Sequence, residues 1–194
     1  KEGRDLARIS AVELVRPAHK LLEDLDGILT ASYLADHLLE FAQEDEPGEL
    51  YYRLLDSTTD ALLAGVDRDL AARYFEAWVL RLSGVFPAPN ACPLCGNPFS
   101  ARGAVLPAGS DALICFECAG GGGEEGAGYR VVVGPETLDF LRRLGRESLS
   151  TLGEKPPSRA TLRRSEELSA RVRRHFLQRE LRSYDVIQKT RAEG

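Results

Sequence analysis

Residues 92–118 read CPLCGNPFSARGAVLPAGSDALICFEC, and Cys92, Cys95, Cys115 and Cys118 are the four cysteines of the chain. The spacing C-x2-C-x19-C-x2-C fits a tetrahedral zinc site. Each C-x-x-C loop turns two thiolates toward one point, and two such loops supply the four soft ligands that close the shell. Gly96 follows the first pair, where a residue with positive φ is expected. A closed four-thiolate shell leaves no position for water, so one structural zinc is expected, not a catalytic one. Two disulfides would require an oxidising compartment, which nothing in the sequence indicates. A thioredoxin-like redox pair would place a single C-x-x-C at a strand-to-helix turn, not two matched pairs among prolines. The zinc-deaminase pattern is not met, because none of His19, His37 and His175 is followed two positions on by Glu. The three histidines fall on separate expected helices, each as a partly solvated helix residue.

Outward from the cysteines the character changes on both sides. Pro87, Pro89, Pro93 and Pro98 end helical structure before and within the module. After it, Tyr129-Arg130-Val131-Val132-Val133 reads as a strand, and Gly134-Pro135-Glu136 opens a helix to about Leu144, with Gly145 ending it. The run Gly120 to Gly126 lacks the Lys-Ser/Thr ending of a phosphate-binding loop and carries Glu124 and Glu125, so a flexible turn is expected there. Before the module, apolar residues recur at three and four. Ser10-Ala11-Val12-Glu13 has the form of a capping box and predicts a helix start at Ser10. Further helices are expected over about Ile28 to Phe41, Glu49 to Leu63 and Arg68 to Leu82, the first ending in the acidic turn Glu44 to Gly48. Tyr74, Phe75 and Trp78 lie close together on the last of these, and core packing is the stronger reading for them than a base-stacking platform. Gly153 to Pro157 is expected as a linker and Ser158 as the cap of a long helix to about Ser183. The fold class is therefore mainly α: a helical bundle with an inserted four-cysteine zinc module carrying short β elements. The parts are residues 1–88 (first helical part), 89–133 (zinc module) and 134–194 (C-terminal helices packing on the first part).

The 194 residues are 43% hydrophobic and 28% charged, which excludes disorder along the whole length. The longest apolar runs, such as Ala77 to Leu80, are far short of the roughly 18 residues a membrane helix needs. Met is absent, position 1 included, which suggests a fragment or a processed product. The net charge of -5 hides a polarity. Residues 1–90 hold nine Lys or Arg against seventeen Asp or Glu, and residues 151–194 hold eleven against six. An anionic partner is thus expected at the C-terminal end. On a helical wheel Arg163, Arg164, Arg171, Arg174 and Arg182 share an arc of roughly 100°, with Leu162, Leu168, Val172 and Phe176 on the opposing arc. Guanidinium suits phosphate because its planar fork donates bidentately and stays charged. These five are candidate DNA-phosphate contacts, with Arg173, Arg179 and Lys189 as weaker candidates, although on the helix alone a charge run is more often a solvated face, here paired with Glu166, Glu167 and Glu180. No paired carboxylates or Ser/His/Asp set stands out, so no enzyme is expected.

The order of these parts resembles the C-terminal portion of the bacterial recombination-mediator family RecO. The likeness is carried by Tyr74-Phe75-Glu76-Ala77-Trp78-Val79-Leu80-Arg81-Leu82-Ser83-Gly84-Val85-Phe86-Pro87 leading into Cys92-Pro93-Leu94-Cys95-Gly96. It extends through the second knuckle at Cys115 and Cys118, the stretch His175 to Tyr184, and Thr30 to Asp36, which is similar to the family's central helix. The resemblance implies an N-terminal oligonucleotide-binding barrel, a central helical domain and a zinc module lodged in it. No series of short alternating strands precedes Ser10, so the barrel is not expected among these residues. The resemblance also implies a role in recombinational repair (the RecF pathway). That role comprises binding of single- and double-stranded DNA, strand annealing, recombinase loading on strands coated by the single-strand-binding protein SSB, and partnership with RecR and SSB. A cytoplasmic, nucleoid-associated location follows from it. Much of the DNA and RecR contact in the family involves the barrel. A protein-interaction adaptor, stabilised by zinc and without DNA binding of its own, is the alternative function.

Overall fold

The computed structural model describes residues 10–13, 17–42, 48–120 and 130–193. Its elements are α1 (Leu25–Phe41), α2 (Glu49–Leu63), α3 (Arg68–Leu82), β1 (Ala104–Leu106), β2 (Val131–Val133), α4 (Pro135–Leu144), α5 (Leu149–Glu154), α6 (Arg159–Leu177) and α7 (Arg182–Glu193). The expected mainly α bundle with a small β insertion is what forms. Residues 44–47, the glycine run at 121–126 and Tyr129 lie outside the described residues.

α3 is the hub, packing against α1, α2, α4, α5 and α6. It can be central because its apolar positions surround most of the helix: Leu70, Ala71, Phe75, Ala77, Val79 and Leu80 are all fully buried. Phe75 lies in the core, while Tyr74 and Trp78 are half-buried against it with rings 6.3 Å apart, as the packing reading anticipated. Asp67 caps α3 by accepting from Leu70 N at 3.0 Å. α1 is capped by Asp24, which accepts from Gly27 N at 2.7 Å. Gly27 is required by close approach, since a Cβ there would stand 1.9 Å from the carbonyl oxygen of Leu21.

β1 pairs antiparallel with β2, Ala104 opposite Val133 and Leu106 opposite Val131. Ile114 bridges Val105 through two hydrogen bonds of 2.9 Å. The sheet does not stand apart from the bundle. Cys92, Phe99, Leu106, Leu113, Val131 and Val133 belong to the same apolar cluster as Leu138, Leu141 and Leu80. Arg142 Nε donates to Pro89 O (3.1 Å) and Arg81 to Leu141 O (3.0 Å), fastening the module's entry to α4.

Three local expectations are corrected. Residues 10–13 are exposed and non-helical, and among the described residues helical structure begins with a 3-10 segment at Ala18–Leu22. A helix from Ser10 would meet Pro17 after about two turns, too short to persist without packing. The expected linker begins inside α5, which Ser148 caps at Thr151 N and which buries Leu149 and Leu152. The long C-terminal helix is two helices: Gln178 adopts φ 57°, and α7 turns back to pack on α1. No Gly or Pro marks that break. It is set by tertiary contacts, since Leu181 is fully buried and Glu180 takes Arg173, Arg174 and the Leu181 N–H.

Candidate metal centre and nucleic-acid interface

In the first knuckle Cys92 N donates to Asn97 O (2.9 Å) and Gly96 N to Cys92 O (2.8 Å). The turn needs Gly96 at φ 73°, the positive value expected from sequence. In the second, Cys118 N donates to Cys115 Sγ at 3.4 Å and Ala119 N to Cys115 O at 3.0 Å. The four sulfurs lie within 4.8 Å of one another. Thiolates bound to one zinc at about 2.3 Å would sit about 3.8 Å apart, and Cys95 Sγ to Cys115 Sγ is 3.8 Å. That is far beyond an S–S bond, and all four are free thiols. Burial pushes the Cys92 thiol up, but backbone hydrogen bonds from Cys115, Cys95 and Leu94 outweigh it and bring it down to about 6. Hydrogen bonds with Cys115 and Cys95 push Cys118 up to about 12. Crowded sulfurs thus share protons, and a soft or borderline divalent cation is the species that would let all four ionise together. The donor set fits such an ion.

The structure brings three of the five arginines together. Arg163, Arg171 and Arg174 line one groove of about 790 Å³ between α6 and α7, and Arg159 and Arg191 join them. Arg164 lies on the neighbouring face, paired with Glu167 at 2.5 Å. Arg182 is corrected: the turn at Gln178 puts it on α7, and it does not line the groove. Arg173 is corrected too, because it is fully buried and bonded to Glu180 at 2.6 Å and Tyr33 Oη at 2.8 Å. Arg179 reaches Glu40, and Lys189 is exposed on α7. Leu162, Leu168 and Val172 face the core as expected, whereas Phe176 is half-exposed and stacks on Phe41 at 5.6 Å. Carboxylates are interleaved in the groove: Arg174 pairs with Glu180 (3.1 Å), and Arg191 with Asp69 (2.6 Å) and Glu166 (3.0 Å).

Beneath the groove is a buried ionic network that the sequence reading did not find. Arg73 spans Glu76 (2.5 Å) and Glu166 (2.7 Å), and Tyr33 Oη donates to the same Glu76 oxygen. The Arg173 guanidinium lies 4.6 Å from the ring centre of Tyr184. Burial pushes the Tyr33 hydroxyl well above its ordinary range, the nearby Glu76 adding to it, so it is a donor at any physiological pH. His37, expected to be partly solvated, is fully buried. Its Nδ1 donates to Tyr33 O at 2.8 Å, which leaves Nε2 to accept from Arg173 at 3.4 Å. Burial, then the charge of Arg173, holds the imidazole down at about 3. His19 and His175 are exposed. The signal for the network was present: Arg73 and Glu76 sit on the apolar face of α3, where unpaired charges are not tolerated.

The folded-state value of His37 lies below its unfolded value of 6.5, so the unfolded chain binds more protons between the two. The stabilisation is complete above about 6.5 and is lost as pH falls toward about 3. Urea titrations should show stability falling by about 1 kcal/mol per pH unit between roughly pH 6 and 5, and His37→Gln should remove that slope. An unchanged slope in the variant would assign the acid sensitivity to other groups.

A family profile described as recombination protein O, C-terminal, matches residues 22–185, a span holding α1 to α6, the four cysteines and the start of α7. The chain belongs to the RecO family. Curated RecO relatives agree. "DNA repair protein RecO" of Anaeromyxobacter sp. (strain K) is 30% identical over 93% of this chain and 69% of its own length. The protein of that name from Syntrophus aciditrophicus is 26% identical over 100% of this chain and 74% of its own. That of Moorella thermoacetica is 31% identical over 95% and 67%. The resemblance read from the cysteine spacing and its flanking helices is thereby established, and with it a DNA repair role. No helix of the described residues is long and apolar enough to cross a membrane. Within the RecO match fall every groove arginine except Arg191, and every member of the buried network.

Proposed function

We propose that this RecO-family chain is a DNA-binding recombination mediator in repair and not an enzyme, with its phosphate-contacting surface in the α6–α7 groove. The observation that carries this reading is the convergence of Arg159, Arg163, Arg171, Arg174 and Arg191 around one groove on a chain whose relatives are named for DNA repair. Guanidinium forks spaced along a groove track a phosphate backbone without reading sequence. Zinc is the metal we assign to Cys92, Cys95, Cys115 and Cys118, where it would cross-link the two knuckles. Strand annealing, recombinase loading, the partners RecR and SSB, and action in the bacterial cytoplasm belong to the same proposal and rest on the family alone.

Fluorescence anisotropy of a labelled single-stranded oligonucleotide, titrated across salt, tests the reading. With about five phosphates contacted, log affinity should fall against log salt with a slope of about -3.5. Arg163→Glu with Arg171→Glu should weaken binding at every oligonucleotide sequence and flatten the slope. The carboxylates paired with Arg164, Arg174 and Arg191 favour the other reading, in which these charges serve the fold and the chain is an adaptor. Absence of binding at low salt would overturn the nucleic-acid reading and leave that one.

A further inference from the structure

α7 is attached in a manner unlike the other helices. It packs on α1, and its apolar contribution is confined to Tyr184 and Ile187, which join Leu181 in a small cluster with Tyr33 and Ala72, separate from the main core. The rest of its attachment is polar. Ser183 donates through N (3.0 Å) and Oγ (2.7 Å) to Asp36 Oδ2. Gln188 donates to Glu166 at 2.9 Å, and Arg191 bonds Glu166 and Asp69. Space remains along both flanks of the helix: the groove of about 790 Å³ toward α6, and a second of about 700 Å³ toward α1 and the α2–α3 turn. Asp69, Arg73, Arg159, Tyr184 and Arg191 line both. Thus the ion pairs that hold α7 are also the walls of the basic groove. Arg191 is 44% exposed, so its pairs are open to competition by other anions and to screening by salt.

We propose that α7 is a strap, latched by Arg191 to Glu166 and Asp69, that an anionic strand entering the groove competes off. Phosphate and carboxylate present similar acceptor geometry to a guanidinium. A strand that takes Arg159 and Arg191 from their carboxylates therefore removes the ionic attachment of α7's C-terminal half and leaves the single Gln188 bond to Glu166. Glu166 is not stranded by the exchange, since Arg73 (2.7 Å) remains beside it, and Asp69, 41% exposed, is solvated by water once both arginines leave. Tyr184, half-buried against Arg173, becomes reachable from solvent as the strap leaves. The inference rests on the nucleic-acid reading of the groove and adds that occupancy and α7 docking oppose each other.

Hydrogen exchange of the α7 amides, followed in the full chain at low salt, tests this with α3 as the internal reference. Addition of about 0.5 M NaCl, and separately Arg191→Gln, should each speed α7 exchange by about ten-fold or more while leaving α3 unchanged. Lys189→Gln, which removes an exposed α7 charge with no ion pair among the described residues, should not. A saturating single-stranded oligonucleotide should speed α7 exchange in the wild type, and Arg191→Gln should add little further. Exchange that slows or stays constant on oligonucleotide binding overturns the inference and leaves the nucleic-acid reading standing. If anisotropy finds no binding at low salt, the nucleic-acid reading fails, and the salt and Arg191→Gln arms then decide the latch alone. Constant α7 exchange in those two arms overturns it.

Discussion

Cys92→Ser is expected to lower the melting temperature by about 10 °C or more and to abolish stoichiometric zinc in the purified chain. Cys92 is fully buried and shares the apolar cluster with Phe99, Val131 and Leu138, so opening its knuckle disturbs helices as well as sheet. The free energy of a four-thiolate zinc shell is in large part folding free energy, and about 3 kcal/mol of it is enough for such a shift in a chain of this length. Cys95→Ser separates the metal from packing, because Cys95 is exposed and contributes little to the core. If the metal is responsible, Cys95→Ser and chelation of the wild type should approach the effect of Cys92→Ser in a thermal melt followed by circular dichroism. A chelated wild type that melts at its original temperature would remove the metal from the account.

The second large effect is expected at Arg73, buried in the floor of the groove. Glu76 is fully buried, and Arg73→Met leaves its carboxylate without the 2.5 Å partner on its own helix. Removing one member of a buried pair costs about 3–5 kcal/mol, because the remaining charge stays desolvated. Arg73→Met combined with Glu76→Leu should recover more than half of that loss, since the apolar pair has no charge left to solvate. By contrast Arg159→Ala, which breaks pairs of an arginine 71% exposed, should cost less than about 1 kcal/mol. Urea midpoints at pH 7 measure all three. A double variant as unstable as Arg73→Met alone would mean that Tyr33 and Arg173, once deprived of Glu76, carry the cost instead.

How far these features were legible in the sequence follows the kind of physics that encodes each. α2, α3 and α4 could be placed closely because local signals agreed: apolar residues recurring at three and four along each, with Gly134-Pro135 opening α4 and Gly145 ending it. The metal centre was legible for a similar reason, its four ligands being fixed by two short spacings. The break at Gln178 was not, because it is fixed by burial of Leu181 against Tyr33 and Ala72, both more than a hundred residues away in sequence. A single helix drawn on to Ser183 placed Arg182 with Arg163 and stopped short of Arg191. α5 was too short for periodicity to register. The ionic network was hidden by a habit of reading charge as surface. Arg73, Glu76 and Arg173 each lie where the neighbouring stripe is apolar, and that mismatch was the available clue.

The bond from Arg173 to Tyr33 joins residues 140 positions apart, and this sets an order on biosynthesis. While the chain is emerging from the ribosome, α1, α2 and α3 can collapse on one another, and the cysteine knuckles can close from residues less than thirty apart. The polar interior between α1 and α3 cannot be completed then, because its guanidinium from α6 has yet to be made. Until it arrives, Tyr33, His37 and Glu76 form an incomplete, hydrated seam, and the nascent bundle should be loose there and open to proteases. Emergence of α6, rather than closure of the knuckles, would then mark the moment at which the helical body becomes rigid.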